Sequence, residues 1–133
     1  QKNDFNIEEE IFSIKNNLSN VGSVTTFIGY VRQINNYKKV KSIELEVYEK
    51  MANQSLQKIL NIAKKKWSLL DSLIIHRYGK LYINEKIVLV ATFAEHRNES
   101  FLSCNFIMDY LKKDAPFWKK EYYDEDYKWL ENN

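Results

Sequence analysis

Lys112 and Lys119 stand on either side of Pro116, and a His96-Arg97 pair lies upstream of both. A lysine at the margin of an apolar face is partly desolvated, and desolvation favours the neutral amine that acid–base chemistry needs. A second lysine nearby strengthens that preference and attracts an anion. The spacing offers Lys112 such a margin. Phe101, Cys104, Met108 and Leu111 recur at intervals of three and four, the mark of one buried helix face, and Lys112 follows Met108 by one turn at that face's edge. Asn98 is expected to cap this helix, with Glu99 in its first turn, and Pro116 to stop it by sterically excluding helical geometry at the preceding residue. Beyond the proline, an extended segment would carry Phe117, Lys119 and Glu121 on one side and Trp118 and Lys120 on the other. The competing reading makes Lys112 and Lys119 solvated charges that complement a helix dipole.

The arginines sharpen the choice. Of 20 basic residues only Arg32, Arg77 and Arg97 are arginines, which in a lysine-rich chain suggests positions that need a planar, bidentate fork. Both histidines, His76 and His96, directly precede an arginine. Two such pairs are too few ligands for a metal site, so no metal is expected. The single cysteine excludes an internal disulfide and a cysteine-based cluster, and Cys104, in mid-helix on the apolar side, reads as a small buried hydrophobe.

The elements that must hold these residues follow from the pattern. Asn6 is expected to cap a first helix with Glu8, Glu9 and Glu10 in its first turn and Ile7, Ile11, Ile14 and Leu18 as its buried stripe. Ser23 to Arg32 reads as a strand, with Gly29 marking a close approach or a bulge, and Gln33 to Lys39 as a polar loop. Val40 to Tyr48 alternates as a half-exposed strand, expected to form a hairpin with the strand before it. A helix from about Met51 to Trp67 turns Leu56, Ile59, Leu60 and Ala63 inward and closes on Lys64-Lys65-Lys66, a run that complements its dipole. Leu73 to Tyr78 is a further strand ended by Gly79; in it His76 and Arg77 point to opposite faces, and the one near the core is expected to be a hydrogen-bonded histidine. Ile87 to Phe93 is the most apolar strand and therefore central, and it delivers His96 and Arg97 ahead of the key helix. Tyr127, Trp129 and Leu130 in the acidic, aromatic tail are candidates to pack on the body. The order of elements makes a single α+β domain over residues 1–133, with an antiparallel sheet and flanking helices.

Composition bounds the function. At 133 residues, 44% hydrophobic and 29% charged, the chain has the make-up of a globular domain able to bury a core, and a net charge of +2 does not by itself imply a polyanion partner. No apolar run reaches the length of a membrane helix, and there is no secretory pattern, so a cytoplasmic place is expected; Gln1 suggests a trimmed or processed start. An aromatic content of 14% leaves one alternative class, a nucleic-acid-binding α+β module, against which the near balance of acidic and basic residues counts.

The runs Phe106-Ile-Met-Asp-Tyr-Leu-Lys112 and Ala115-Pro-Phe-Trp-Lys119-Lys-Glu resemble the catalytic large subunit of molybdopterin synthase. So do Phe27-Ile-Gly-Tyr-Val-Arg32, His76-Arg-Tyr-Gly-Lys-Leu81 and Ala94-Glu-His-Arg97, in the family's order and from about Gly22 to Trp129. The resemblance implies an α/β hammerhead fold and a sulfurtransferase that converts cyclic pyranopterin monophosphate to the dithiolene of molybdopterin. Sulfur would arrive as a thiocarboxylate on the Gly-Gly C-terminus of a small ubiquitin-like partner, with no further cofactor. The family's assembly is a homodimer of large subunits flanked by two small ones, a heterotetramer. By position, Lys112 and Lys119 match its two active-site lysines. Tyr30, Val31, Arg32, His96, Arg97, Lys120 and Glu121 match substrate-contacting segments, and Phe27 and Met108 match pocket-wall positions, to which Phe117 is added. His96 and Arg97 are implied to serve the neighbouring subunit's site. The family often carries a basic residue in its C-terminal tail; this chain departs from that pattern with Glu131-Asn132-Asn133.

Overall fold

The computed structural model describes residues 1–35, 38–123 and 127–130. Its framework is a three-stranded antiparallel sheet in the order β1-β7-β5, formed by β1 (Ser23–Tyr30), β7 (Lys86–Ala94) and β5 (Asp71–His76). The expectation that the most apolar strand is central holds: β7 pairs on both edges and is buried from Val88 to Ala94. Two helices cover one face. α3 (Arg97–Lys113) packs against β1 and β7, while α2 (Glu49–Trp67) packs against β5 and α3. Between them lies the main core, with Ile59 and Ala63 from α2, Cys104, Ile107 and Leu111 from α3, and Val88 and Val90 from β7. α1 (Ile7–Lys15) begins as expected, with Asn6 Oδ1 accepting from the Glu9 amide at 2.9 Å, but its stripe is only half-buried.

A second antiparallel sheet has the order β6-β4-β8-β9, from β6 (Gly79–Tyr82), β4 (Ser42–Val47), β8 (Phe117–Tyr122) and β9 (Tyr127–Leu130). Here one expectation is corrected. β4 does not form a hairpin with β1; it sits between β6 and β8, while β1 goes to β7. Alternation in β4 identified its apolar face correctly but carries no information about which strand lies alongside. Gly79 likewise opens β6 rather than closing a strand, and its φ of 89° explains why glycine is there. The polar loop contains a two-residue ladder, β2 (Ile34–Asn35) with β3 (Lys38–Lys39). The expected packing of the Tyr127, Trp129 and Leu130 side chains, and the tail Glu131 to Asn133, fall outside the described side chains and residues.

The junction between the two sheets is held by Arg77, whose neighbour His76 had been expected to be the buried member of the pair. Arg77 is 6% exposed. Its Nε and Nη2 donate to the Lys2 carbonyl at 3.3 and 3.1 Å, and its Nη1 donates to the Lys86 carbonyl at 3.0 Å. A planar fork satisfies two backbone carbonyls at once, which a histidine at that position could not do. His76 is half-buried. Its ring stacks on Phe117 at 3.8 Å, its Nδ1 lies 2.9 Å from the Arg77 carbonyl, and burial holds its pKa down to about 4.

These two residues generate tests of stability. Arg77→Lys should destabilise the fold by about 2 kcal/mol, read as a lower urea midpoint, because an ammonium cannot bridge both carbonyls. An unchanged midpoint would show the fork to be dispensable. For His76 the folded pKa lies below the unfolded one, so the unfolded chain takes up the proton first and stability falls as pH drops from about 6.5 toward 4, by roughly 3 kcal/mol. His76→Gln should flatten that part of the pH profile relative to the parent chain, the carboxylates being common to both.

Candidate functional site

α3 decides where the candidate residues lie. It leaves β7 after only two residues and returns along the sheet, antiparallel to β7 and therefore parallel to β1. Its first turn is fixed by hydroxyls. Ser100 Oγ donates to the Arg97 carbonyl at 3.0 Å and accepts from Thr25 Oγ1 at 2.8 Å, with Ser23 Oγ at 2.5 Å. Thr92 Oγ1, from β7, donates to the Ser100 carbonyl at 2.8 Å. The connection itself runs against Gly22, where a Cβ would stand 2.0 Å from the Glu95 carbonyl oxygen. A larger residue would push the entry to the helix away from the sheet.

This anchoring corrects two expectations. The helix is not capped by Asn98: it begins at Arg97, with His96 as an extended N-cap residue whose side chain makes no cap bond. Phe101 is not on the buried face but 60% exposed, because Ser100 and Ser103, both fully buried, take the inward positions with Cys104, Ile107 and Leu111. Apolar periodicity could not find a face whose first turn is held by serines. Cys104 is buried as expected, and burial pushes its thiol up to about 11.

Phe106 meets Trp67 of α2 edge-on, with ring centroids 5.1 Å apart, so α2 occupies one flank of α3. Helical spacing puts Phe101, Met108 and Lys112 on the opposite flank, toward β1. Phe27 lies on the β1 face that also carries Ser23 and Thr25, hence on the α3 side of the sheet. Met108 is half-buried, Phe27 is 39% exposed, and Lys112 is exposed rather than desolvated as the sequence suggested.

Lys119 has the more enclosed setting. β8 alternates as expected, and its pairing with β4 sets Phe117 beside Val47, Lys119 beside Leu45 and Glu121 beside Ile43. Phe117 and Glu121 are buried and Lys119 is half-buried, on a face whose Ile43 and Leu45 form a core cluster with Val31, Val40 and Leu81. Glu121 Oε1 accepts from Tyr123 Oη at 2.7 Å. Lys120 and Trp118 point to the other face, where the Lys120 ammonium sits 5.2 Å from the Tyr122 ring centre.

The substrate-type residues thus divide between two ends of α3. Tyr30 and Arg32 are exposed on either side of Val31. The Val31 amide donates to the Glu85 carbonyl and its carbonyl accepts from the Asn84 amide, both at 3.0 Å, while its side chain is buried. Tyr30 pairs with Lys86 at the start of β7, so this segment lies toward the C-terminal end of α3, the end that carries Lys112 and leads into β8. His96 and Arg97 are exposed at the other end, and fifteen residues of helix separate Arg97 from Lys112 by about 22 Å. Within one chain the two side chains therefore stand at opposite ends of the helix.

The MoaE protein family model matches residues 1–114. A molybdopterin synthase catalytic subunit from Ralstonia nicotianae is 44% identical over 131 residues, covering 98% of this chain and 74% of that protein. Among solved structures, the molybdopterin biosynthesis MoaE protein from Burkholderia ambifaria superposes with a TM-score of 0.85 at 39% identity, over 99% of this chain and 86% of that one. Molybdopterin synthase from Staphylococcus aureus gives 0.88 at 28% identity, over 97% and 93%. With a matching family model over most of its length and relatives of this identity, the chain belongs to the MoaE protein family of molybdopterin synthase catalytic subunits.

Proposed function

We propose that this chain is the sulfur-transferring large subunit of a molybdopterin synthase, and that Lys112 and Lys119 are its catalytic amines. The observation that carries the assignment is their placement. Lys112 closes α3, the chain turns through Asp114, Ala115 and Pro116, and Lys119 follows on the inner face of β8, at the end of α3 toward which Arg32 lies. Cyclic pyranopterin monophosphate is a phosphate ester and the thiocarboxylated tail of a small ubiquitin-like partner is anionic, so Arg32, Lys112 and Lys119 supply binding charge. A lysine at this corner serves as acid or base while the cyclic phosphate opens and sulfur adds. Phe27, Met108 and Phe117 are the apolar walls past which the partner's Gly-Gly end is threaded. Tyr30 and Glu121 border the charged end. Val31 and Lys120 keep supporting roles, one holding Arg32 in place and the other on the opposite face of β8. Since sulfur enters on the partner, the reaction needs no resident cofactor or metal, and we place it in the cytoplasm. No helix among the described residues is long and apolar enough to cross a membrane. Family membership leaves the nucleic-acid alternative without support.

The separation of Arg97 from Lys112 supports a shared site in a homodimer of large subunits, flanked by two small ones. A two-fold axis across the β1 flank of α3 would run the two helices antiparallel and bring the His96-Arg97 end of one copy to the Lys112 end of the other. The exposed Phe27 and Phe101, beside the edge of β1 that pairs with no strand among the described residues, give that contact its apolar surface.

Lys112→Ala should lower dithiolene formation at least about a hundredfold while leaving fold and partner binding intact, and Lys112→Arg should fail too because a guanidinium stays protonated. Near-normal turnover by either variant would sink the assignment. Mixing equal amounts of Lys112→Ala and Arg97→Ala chains, each nearly inactive alone at substrate concentrations near the parent KM, should restore about a quarter of the parent activity, since half the dimers are hybrids with one intact site. No recovery, with subunit exchange confirmed, would place both residues in one chain's pocket.

A further inference from the structure

We propose that Ser100 is a positioning residue, which sets where His96 and Arg97 stand by tying the first turn of α3 to both strands beneath it. The inference rests on the reading that Arg97 meets the substrate's anion. Ser100 is fully buried, and its hydroxyl is saturated. Its one proton goes to the Arg97 carbonyl, so both remaining acceptor positions are filled by protons from Ser23 and Thr25 of β1. Its carbonyl accepts from Thr92 Oγ1 of β7 at 2.8 Å and from Ser103 Oγ at 3.2 Å. Four hydroxyls from two strands and the helix therefore converge on one residue.

An apolar contact would hold a helix on a sheet without fixing its rotation or its slide along the axis. Hydrogen bonds are directional, and a set that comes from two strands fixes both. The backbone bond at this turn is weak by comparison: the Ser100 amide lies 3.5 Å from the His96 carbonyl, whereas the Oγ bond to the Arg97 carbonyl is 3.0 Å. The side-chain bond of Ser100 to Arg97 is thus shorter than its backbone bond to His96, and the helix axis beyond it carries Lys112 at the far end. Loss of that tether would leave the fold standing and let the cationic end drift relative to the substrate.

The test is a double-mutant cycle of Ser100→Ala with Arg97→Ala in the assembly with the thiocarboxylated small subunit, reading KM and kcat for cyclic pyranopterin monophosphate beside thermal unfolding. Ser100→Ala should raise KM about tenfold with a smaller change in kcat, since a displacement of the order of an ångström is enough. Combined with Arg97→Ala it should raise KM no further, although the drop in melting temperature persists. Losses that multiply in the double variant, or a KM unchanged by Ser100→Ala, would make the network purely structural and overturn the inference. If Ser100→Ala does not fold, Thr25→Val removes a single donor and should show the same non-additivity at about threefold. A KM unaffected by Arg97→Ala itself would instead overturn the reading beneath, that Arg97 meets the substrate.

Discussion

The register of α3 on the central sheet is the constraint from which the rest follows. β7 is buried on both faces and paired on both edges, so it can hardly shift. α3 is tied to it within a few residues of its end, and the β1 hydroxyls lock the helix in rotation. The helix is then a rod of fixed length laid across a fixed sheet. Whatever stands at its two ends is held apart by that length, and whatever follows its last turn is delivered to a definite place on the second sheet.

That delivery is the business of the Asp114–Pro116 corner. Pro116 forbids the helix from running on, Ala115 is buried beneath it, and Phe117 enters the main core with its ring against His76. Once Phe117 faces inward, alternation compels Lys119 and Glu121 to do the same and sends Trp118 and Lys120 outward. A lysine is thereby carried, with Glu121, onto a face whose apolar members are Ile43, Leu45 and Leu81. The Arg77 fork fixes the geometry from the opposite side, by holding the chain where it crosses from β5 to β6.

Much of this could be read from residue order. The periodicities found the helices, the central strand and the inward set of β8, and the blocks around Lys112 and Lys119 pointed to the family. What escaped reading has physical causes. Strand partnership depends on contacts between distant segments, so the neighbours of β4 were invisible in its own alternation. Ser100 and Ser103 count as polar in any hydropathy pattern, yet they are fully buried because their hydroxyls find partners; that substitution of hydrogen bonds for apolar packing rotated the inward face away from Phe101. The Arg77 anchor was hidden for a similar reason, since a buried arginine is recognisable only once the carbonyls it serves are known. Lys112 is exposed because its place on the helix, one turn past the half-buried Met108, falls outside the inward set of Ser100, Cys104, Ile107 and Leu111.

Cys104 has a consequence for redox chemistry. It is the chain's one thiol, it lies inside the main core, and burial keeps it protonated at neutral pH. A thiol so placed is a poor nucleophile toward an incoming sulfur donor. The proposed sulfur transfer therefore makes no use of this thiol, and an oxidant meets the exposed Met51 thioether before it reaches Cys104.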